Sequence, residues 1–206
     1  PAETTTTVTK DTLTTLTAQY VRQTGQLKVK INPEAAILAG AQWSVDGGTT
    51  WKDSDTTLTL PTDEYTLTYK SVTYWNVPQN EVLTITKDAF VETSGTYVRQ
   101  KGSIVVNITG PTEARWSIDG GTTWFESGTT QTVDAGQYVV SFLDVYGWTT
   151  PVDQQVEVLE SQPATLTSTY ERQYGELSCV LTPDDAVTSG AQWSADGGAT
   201  WNNSND

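Results

Sequence analysis

The 206-residue sequence predicts an all-β chain of small antiparallel β-sandwich repeats, Ig-like and tandem, stacked end to end. Three observations predict it. The phrase W-S-x-D-G-G-x-T-W occurs at 43–51, 116–124 and 193–201. A second phrase, Y-x-R-Q-x-G, occurs at 20–25, 97–102 and 170–175, so a unit of 73 to 77 residues recurs. Between the phrases run short period-two segments rich in Thr, Val, Tyr and Trp, the pattern of half-buried strands. A unit with about six or seven such strands and turn signals between them fits a small sandwich, whereas a propeller blade needs only about 45 residues.

The first strand of each unit alternates strictly: Leu27, Val29, Ile31, then Ile104, Val106, Ile108, then Leu177, Cys179, Leu181. Cys179 stands in the slot of Val29 and Val106, which makes it a small core residue rather than a reactive thiol. The second strand is "AQWSVD", with Ala41, Trp43 and Val45 on one face. Gly47 and Gly48 follow and supply a tight turn, because glycine takes positive φ without steric cost. Asp46 is placed to accept hydrogen bonds from the turn amides. In a two-residue hairpin Ser44 lies opposite Trp51, which sends Trp43 and Trp51 to opposite faces unless a bulge intervenes.

Further strands are predicted at "TLTLP", at "YTLTYKSV" with its counterpart "YVVSFLDV", at "VLTIT" with "VEVLE", and at "VETSGTYVRQ". Tyr65, Leu67 and Tyr69 alternate in one unit, as do Tyr138, Val140 and Phe142 in the next. The eight Trp fall at repeat-equivalent places, 43/116/193, 51/124/201 and 75/148, so their positions follow the scaffold. No Gly/Ser- or Pro-rich linker separates the units, which predicts a stiff rod.

The resulting organisation is four segments. Residues 1–20 match the closing strands of a unit, with Val8 in the slot of Ile85 and Val158. Residues 21–97 and 98–170 are two whole repeats, and 171–206 are an incomplete third. Two expectations stay open. The chain is a window of a longer array, or a subunit whose incomplete domain takes a strand from the next copy.

Composition narrows the chemistry. A net charge of −14 opposes nucleic acid and anionic membranes, which reward basic patches. No apolar run approaches the roughly 18 residues of a membrane helix, so membrane insertion is not expected. The single Cys excludes an intrachain disulfide. The absence of His removes His-based triads and most zinc sites. Carboxylate pairs at Asp53/Asp55 and Asp184/Asp185 lie in turn-like stretches, where acids are usually solvated rather than held across a cleft as glycosidases require. Calcium would go to Asp46, Asp119 or Asp196, or to a unit junction, but no D-x-[DN]-x-[DN]-G run is present and no cofactor is predicted. Asn107-Ile-Thr and Asn202-Asn-Ser match the N-glycosylation pattern, the first on a predicted strand.

The segment S-x-D-x-G-x-T-W at Ser44–Trp51 resembles the Asp-box of sialidase-type propellers, where it resembles a folding motif rather than a catalytic one. Those enzymes hold a substrate carboxylate with converging arginines. Here Arg22, Arg99 and Arg172 sit at one repeat position in three units, and Arg115 replaces Gln42 and Gln192 beside a Trp. The unit as a whole resembles the PEGA-like surface repeats of bacteria and archaea. The carrying residues are G-x-L-x-V-x-I-x-P at Gly25–Pro33, "PEAA" at Pro33–Ala36, the Gly175–Pro183 run and "AGQYVVSFLDVYGW" at Ala135–Trp148. The resemblance implies a non-enzymatic, extracellular or cell-surface structural protein, a rod, filament or adhesin stalk. Its partners would be neighbouring repeats or copies of itself in a homo-polymer or longer array. The alternative is a carbohydrate-binding array, or an accessory region of a glycoside hydrolase, with Trp51, Trp124 and Trp201 stacking on surface glycans.

Two sets of residues are therefore singled out. The structural hairpin comprises Ser44, Asp46, Gly47, Gly48 and Trp51, then Ser117, Asp119, Gly120, Gly121 and Trp124, then Ser194, Asp196, Gly197, Gly198 and Trp201. The repeat junction comprises Tyr20, Arg22, Tyr97, Arg99, Tyr170 and Arg172. No catalytic residue is predicted.

Overall fold

A computed structural model describes residues 5–205. The first repeat contains β1 (Thr24–Asn32), α1 (Glu34–Leu38), β2 (Trp43–Ser44), β3 (Thr57–Pro61), β4 (Asp63–Tyr69), β5 (Trp75–Asn76), β6 (Glu81–Ile85), β7 (Phe90–Thr96) and β8 (Val98–Arg99). The second contains β9 (Lys101–Thr109), β10 (Arg115–Ser117), β11 (Phe125–Glu126), β12 (Thr130–Asp134), β13 (Gly136–Phe142), β14 (Trp148–Thr149), β15 (Gln154–Val158), β16 (Pro163–Thr169) and β17 (Glu171–Arg172). After it comes only α2 (Asp184–Thr188).

β1 is the middle strand of the sheet β3-β1-β7, and β4 is the middle strand of β2-β4-β6. Side chains from both sheets form one core: Leu27, Val29 and Ile31 of β1, Trp43 of β2, Leu67 and Tyr69 of β4, and Leu83 and Ile85 of β6, closed by Trp75 and Tyr97. The alternation along β1 is the cause. Every second residue points inward, and burying each of these large apolar side chains contributes about 1.5–3 kcal/mol. The second repeat has counterpart strand orders, β12-β9-β16 and β11-β10-β13-β15. Its Ile104, Val106, Trp116, Val140 and Val158 are fully buried.

Among the described residues of the first repeat the pairing is antiparallel with one exception. β1 runs antiparallel to β3, with Leu27 opposite Leu58, but parallel to β7, with Val29 opposite Thr93. The chain leaves β1 through α1 and β2 of the other sheet, comes back for β3, crosses again to β4 and β6, and returns beside its own first strand as β7.

Cα packing separates two compact units. One holds residues up to Ile104 together with Gln131–Gln137 and Glu157–Ala164; the other holds Val105–Thr130, Tyr138–Val156 and the residues from Thr165. The boundary thus passes through β9, β12, β13, β15 and β16 rather than between the repeats.

The structure departs from the repeat's strand pattern in four places. "PEAA" forms the start of α1, a single turn after Pro33 whose buried Ala36 accepts a hydrogen bond from the Ala41 amide at 3.0 Å. The strand expected at "AQWSVD" is only Trp43–Ser44. Within the 1–20 segment, residues 5–20 carry no strand, and Val8, Leu13, Leu16 and Tyr20 are exposed. The alternation at Leu177, Cys179 and Leu181 also gives no strand: Leu177 is exposed and Cys179 half-buried. A strand exists only against a hydrogen-bonded neighbour, and the described residues provide none to either segment.

Candidate functional site

The hairpin of the first repeat begins with Trp43, fully buried, whose indole N–H donates to the Asp53 carbonyl at 2.9 Å. Its ladder is one bridge, Trp43 with Lys52, so the register is that of a two-residue hairpin. The turn itself differs, because beyond this bridge side chains close the loop. Ser44 is buried, and its Oγ accepts from the Asp46 amide at 3.1 Å and the Gly48 amide at 3.0 Å. The same hydroxyl donates to Asp46 Oδ1 at 2.7 Å. Asp46 Oδ1 also accepts from the Thr50 amide at 2.9 Å, and Oδ2 accepts from Thr50 Oγ1 at 2.7 Å. Gly47 and Gly48 have φ of 69° and 84°, the region that favours glycine.

The network recurs. Ser117 and Asp119 are 2.8 Å apart, and Asp119 accepts from the Thr122 and Thr123 amides at 3.0 and 2.8 Å. Ser194 and Asp196 are also 2.8 Å apart, and Asp196 accepts from the Thr200 amide at 2.9 Å. Gly120, Gly121, Gly197 and Gly198 all have positive φ. The amide and hydroxyl of Thr50, then the Ser44 hydroxyl, hold the Asp46 carboxyl down at about 2, and the Thr123 amide first among its donors does the same for Asp119. The Thr200 amide lowers Asp196 likewise. These carboxylates are occupied in closing their own loops, and hydrogen bonds to the charged form favour it. Among the described residues no three or more Cys, Asp or Glu side chains gather as a metal would require.

Trp51 neither joins the core nor projects freely. Its ring lies over the turn, where a Cβ on Gly48 would come within 2.9 Å of it. Trp124 covers Gly121 in the same way, at 3.1 Å, and Trp201 covers Gly198 at 3.4 Å while remaining 58% exposed. The two expected carboxylate pairs do not form a cleft. Asp53 accepts from Gln42, Asp55 pairs with Lys28 at 3.2 Å, and Asp184 and Asp185 open α2.

The junction phrase builds a second arrangement. Tyr97 is buried, donates to the Lys70 carbonyl at 2.6 Å and meets the Tyr69 ring edge-on at 6.3 Å. Tyr170 repeats this with the Leu143 carbonyl at 2.6 Å and Phe142 at 6.5 Å. Tyr20 has no such setting and is exposed. Gly25 is required by close approach: a Cβ there would stand 2.5 Å from the Thr86 carbonyl oxygen.

Arg99 lies in β8, opposite Trp75 of β5. Its guanidinium carbon is 5.2 Å from the Trp75 ring centre and 5.5 Å from that of Tyr74, and Nη2 donates to the Ala135 carbonyl. Around it Gln100 bonds Asn76 at 3.0 Å, and the Ala135 amide donates to the Gln100 carbonyl at 2.8 Å. The Tyr74 hydroxyl donates to Glu157 at 2.7 Å, Asn76 donates to Glu160 at 3.0 Å, and Lys101 pairs with Asp134 at 3.0 Å. The Glu157 carboxylate accepting from it raises the Tyr74 phenol above its ordinary value. All of these residues belong to the first compact unit, so residues of two successive repeats are knitted there by side chains.

The three junction arginines do not converge. Arg22 pairs with Asp63 at 3.3 Å, Arg99 covers Trp75, and Arg172 covers Trp148 at 5.2 Å. Sequence reasoning missed Tyr74, Asn76, Glu157 and Glu160. A signal was present: Trp and Arg stand 24 residues apart at both 75/99 and 148/172.

No family model and no curated protein matches this chain. Among solved structures, the Bacillus anthracis TIE protein is 10% identical with a TM-score of 0.48, over 74% of this chain and 35% of that one. This chain therefore spans about a third of that protein's length. The C-terminal fragment of pilus adhesin SpaC from Lactobacillus rhamnosus GG is 9% identical with a TM-score of 0.39, over 76% of this chain and 100% of the fragment. GBS52, the minor pilin of Streptococcus agalactiae, is 10% identical with a TM-score of 0.31, over 78% of this chain and 100% of that one.

Proposed function

We propose that the chain is a non-enzymatic, extracellular structural segment, part of a cell-surface rod, filament or adhesin stalk of PEGA-like repeats. Its partners are neighbouring repeats or copies of itself. The Arg99 junction carries this reading. A guanidinium over two aromatic rings, a carbonyl acceptor and two glutamates join residues of successive repeats without a flexible linker. Such contacts suit a part whose work is to hold repeats together. The hairpin carboxylates support the same reading, since turn donors engage each of them. Immunogold labelling of the source cells with antibodies against the chain tests it. Rods or filaments at the surface are expected, and labelling confined to the cytoplasm would overturn it.

The half-open rings of Trp51 and Trp124 favour a second reading, a carbohydrate-binding array. Fluorescence titration with oligosaccharides decides it. Tryptophan emission that does not respond removes this reading.

A further inference from the structure

The Trp–Arg–Gln part of the Arg99 junction that precedes the next repeat is built a second time, with Gly147 in the place of Tyr74. Trp148 of β14 pairs with Arg172 of β17, and the guanidinium carbon lies 5.2 Å from the indole ring centre, the same separation as Arg99 from Trp75. The Gln173 amide donates to the Gly147 carbonyl at 2.9 Å, as the Gln100 amide donates to Tyr74 at 3.0 Å. Gln173 Nε2 donates to Thr149 at 3.4 Å, where Gln100 bonds Asn76.

What differs is the cover. Trp75 is buried, while Trp148 is only half-buried and Tyr146 beside it is wholly exposed. The Arg172 guanidinium forms no hydrogen bond or ion pair among the described residues, although a guanidinium is a donor in every direction of its plane. Trp148, Tyr146, Thr149 and Gln173 line an open concavity of about 400 Å³. Among the described residues no acceptor faces the Arg172 guanidinium.

We infer that this platform is a docking surface for the corner of a further sandwich of the same repeat type, the third one, folding from the segment after Arg172. The inference rests on the proposed reading of the chain as joined repeats. The first junction supplies the chemistry: a main-chain carbonyl for the guanidinium, in the place of Ala135, and a carboxylate in the place of Glu160, which accepts from Asn76 where Thr149 stands here. It also supplies the reach. Arg99 finds its carbonyl 36 residues downstream, and Arg22 finds Asp63 41 residues downstream in the repeat with the longer loop. A corner about 40 residues beyond Arg172 is therefore the occupant, since the third repeat carries the longer loop. A second copy does not fit, because both of its corners already hold their own arginine.

The experiment extends the 206-residue chain after Asp206 with a copy of residues 130–169, which places counterparts of β12, β13, β14, β15 and β16 after the third hairpin. Cys179 reports folding, because the slot it occupies is buried in the first two repeats. Oxidation of Trp148, mapped by mass spectrometry, reports docking, because its counterpart Trp75 is buried in the first junction. In the extended chain Cys179 becomes unreactive to thiol reagents, Trp148 oxidises severalfold more slowly than in the original chain, and R172A gives the extended and original chains equal rates. Protected Cys179 with an unchanged Trp148 rate overturns the inference. If Cys179 stays reactive, R99A in the original chain decides. Faster hydrogen exchange at the Ala135 amide, which bonds the Gln100 carbonyl across the junction, upholds the arginine as the hold on the occupant, and an unchanged rate overturns it. Cytoplasmic immunogold labelling would overturn the surface reading and leave this contact standing.

Discussion

Trp43 and Trp193 hold the same place in the same nine-residue phrase, yet only one belongs to a sandwich. Trp43 is fully buried among the two sheets, and Trp193 is half-buried with no sheet around it. Their hairpins are nonetheless alike. Each indole N–H donates to a carbonyl ten residues on, at 2.9 and 3.0 Å, and each Trp bridges to the residue nine places later. The comparison separates two kinds of order. The hairpin is held by bonds that span at most ten residues, so it forms wherever its phrase is written. The sandwich needs β3, β4, β6 and β7, and without counterparts of them the first-strand alternation at Leu177–Leu181 stays without a partner.

The largest expected effect breaks the comparison at the core. Trp43→Ala removes a fully buried ring and should cost about 3–5 kcal/mol in urea unfolding, as aromatic truncations in cores do. Trp193→Ala, at the same position of the phrase, should leave that transition unchanged. Equal losses would mean that the third hairpin is packed into a core.

The same division decides what was readable beforehand. The alternations of Leu27/Val29/Ile31 and Ile104/Val106/Ile108 announced inward faces, and period two suffices for that. The parallel return of β7 beside β1 was not readable, because neighbour choice is set by the path of the whole unit. In the hairpin, the work of Asp46 was legible from its place before two glycines. The double acceptance by Ser44 was not, since it depends on the loop being wider than a two-residue turn. The junction was half legible. Repetition marked Arg99 and Arg172, but Glu157 and Glu160 stand in no phrase and are brought to Tyr74 and Asn76 by folding alone.

Two substitutions sharpen the account of the loop. Gly48→Ala meets both a positive φ and the Trp51 ring 2.9 Å away, and should cost about 2–3 kcal/mol. Gly47→Ala has the positive φ but open space around its Cβ, and about 1 kcal/mol is expected. Urea midpoints of the two variants give the order, and a Gly47 loss as large as that of Gly48 would remove the ring from the explanation. Ser44→Ala leaves the Asp46 and Gly48 amides without their acceptor inside a buried site and should cost about 1–2 kcal/mol. Ser194→Ala, in the exposed third hairpin, should cost less, because water reaches the same amides.

Acid gives the smallest effect and the finest comparison. The Asp46 and Asp119 carboxyls are held down at about 2 by amide and hydroxyl donors, below the ordinary carboxylate value of 3.8. A depressed carboxyl contributes stability that is fully present above its unfolded value and is lost as pH falls through its folded value. The hairpins should therefore be indifferent to pH down to about 4 and loosen between about 4 and 2. Carboxyl-carbon NMR titration reads each site separately. Ser44→Ala should move the Asp46 midpoint up toward 3.8 by removing one donor. Asp196 is lowered by the Thr200 amide and hydroxyl and the Ser194 hydroxyl, the same kinds of donor, in a segment that has no sandwich. Its midpoint should also fall below the ordinary range. An Asp196 that titrates like a free carboxylate would show that the loop closes only when a core stands behind it, and the hairpin would lose its independence from the fold.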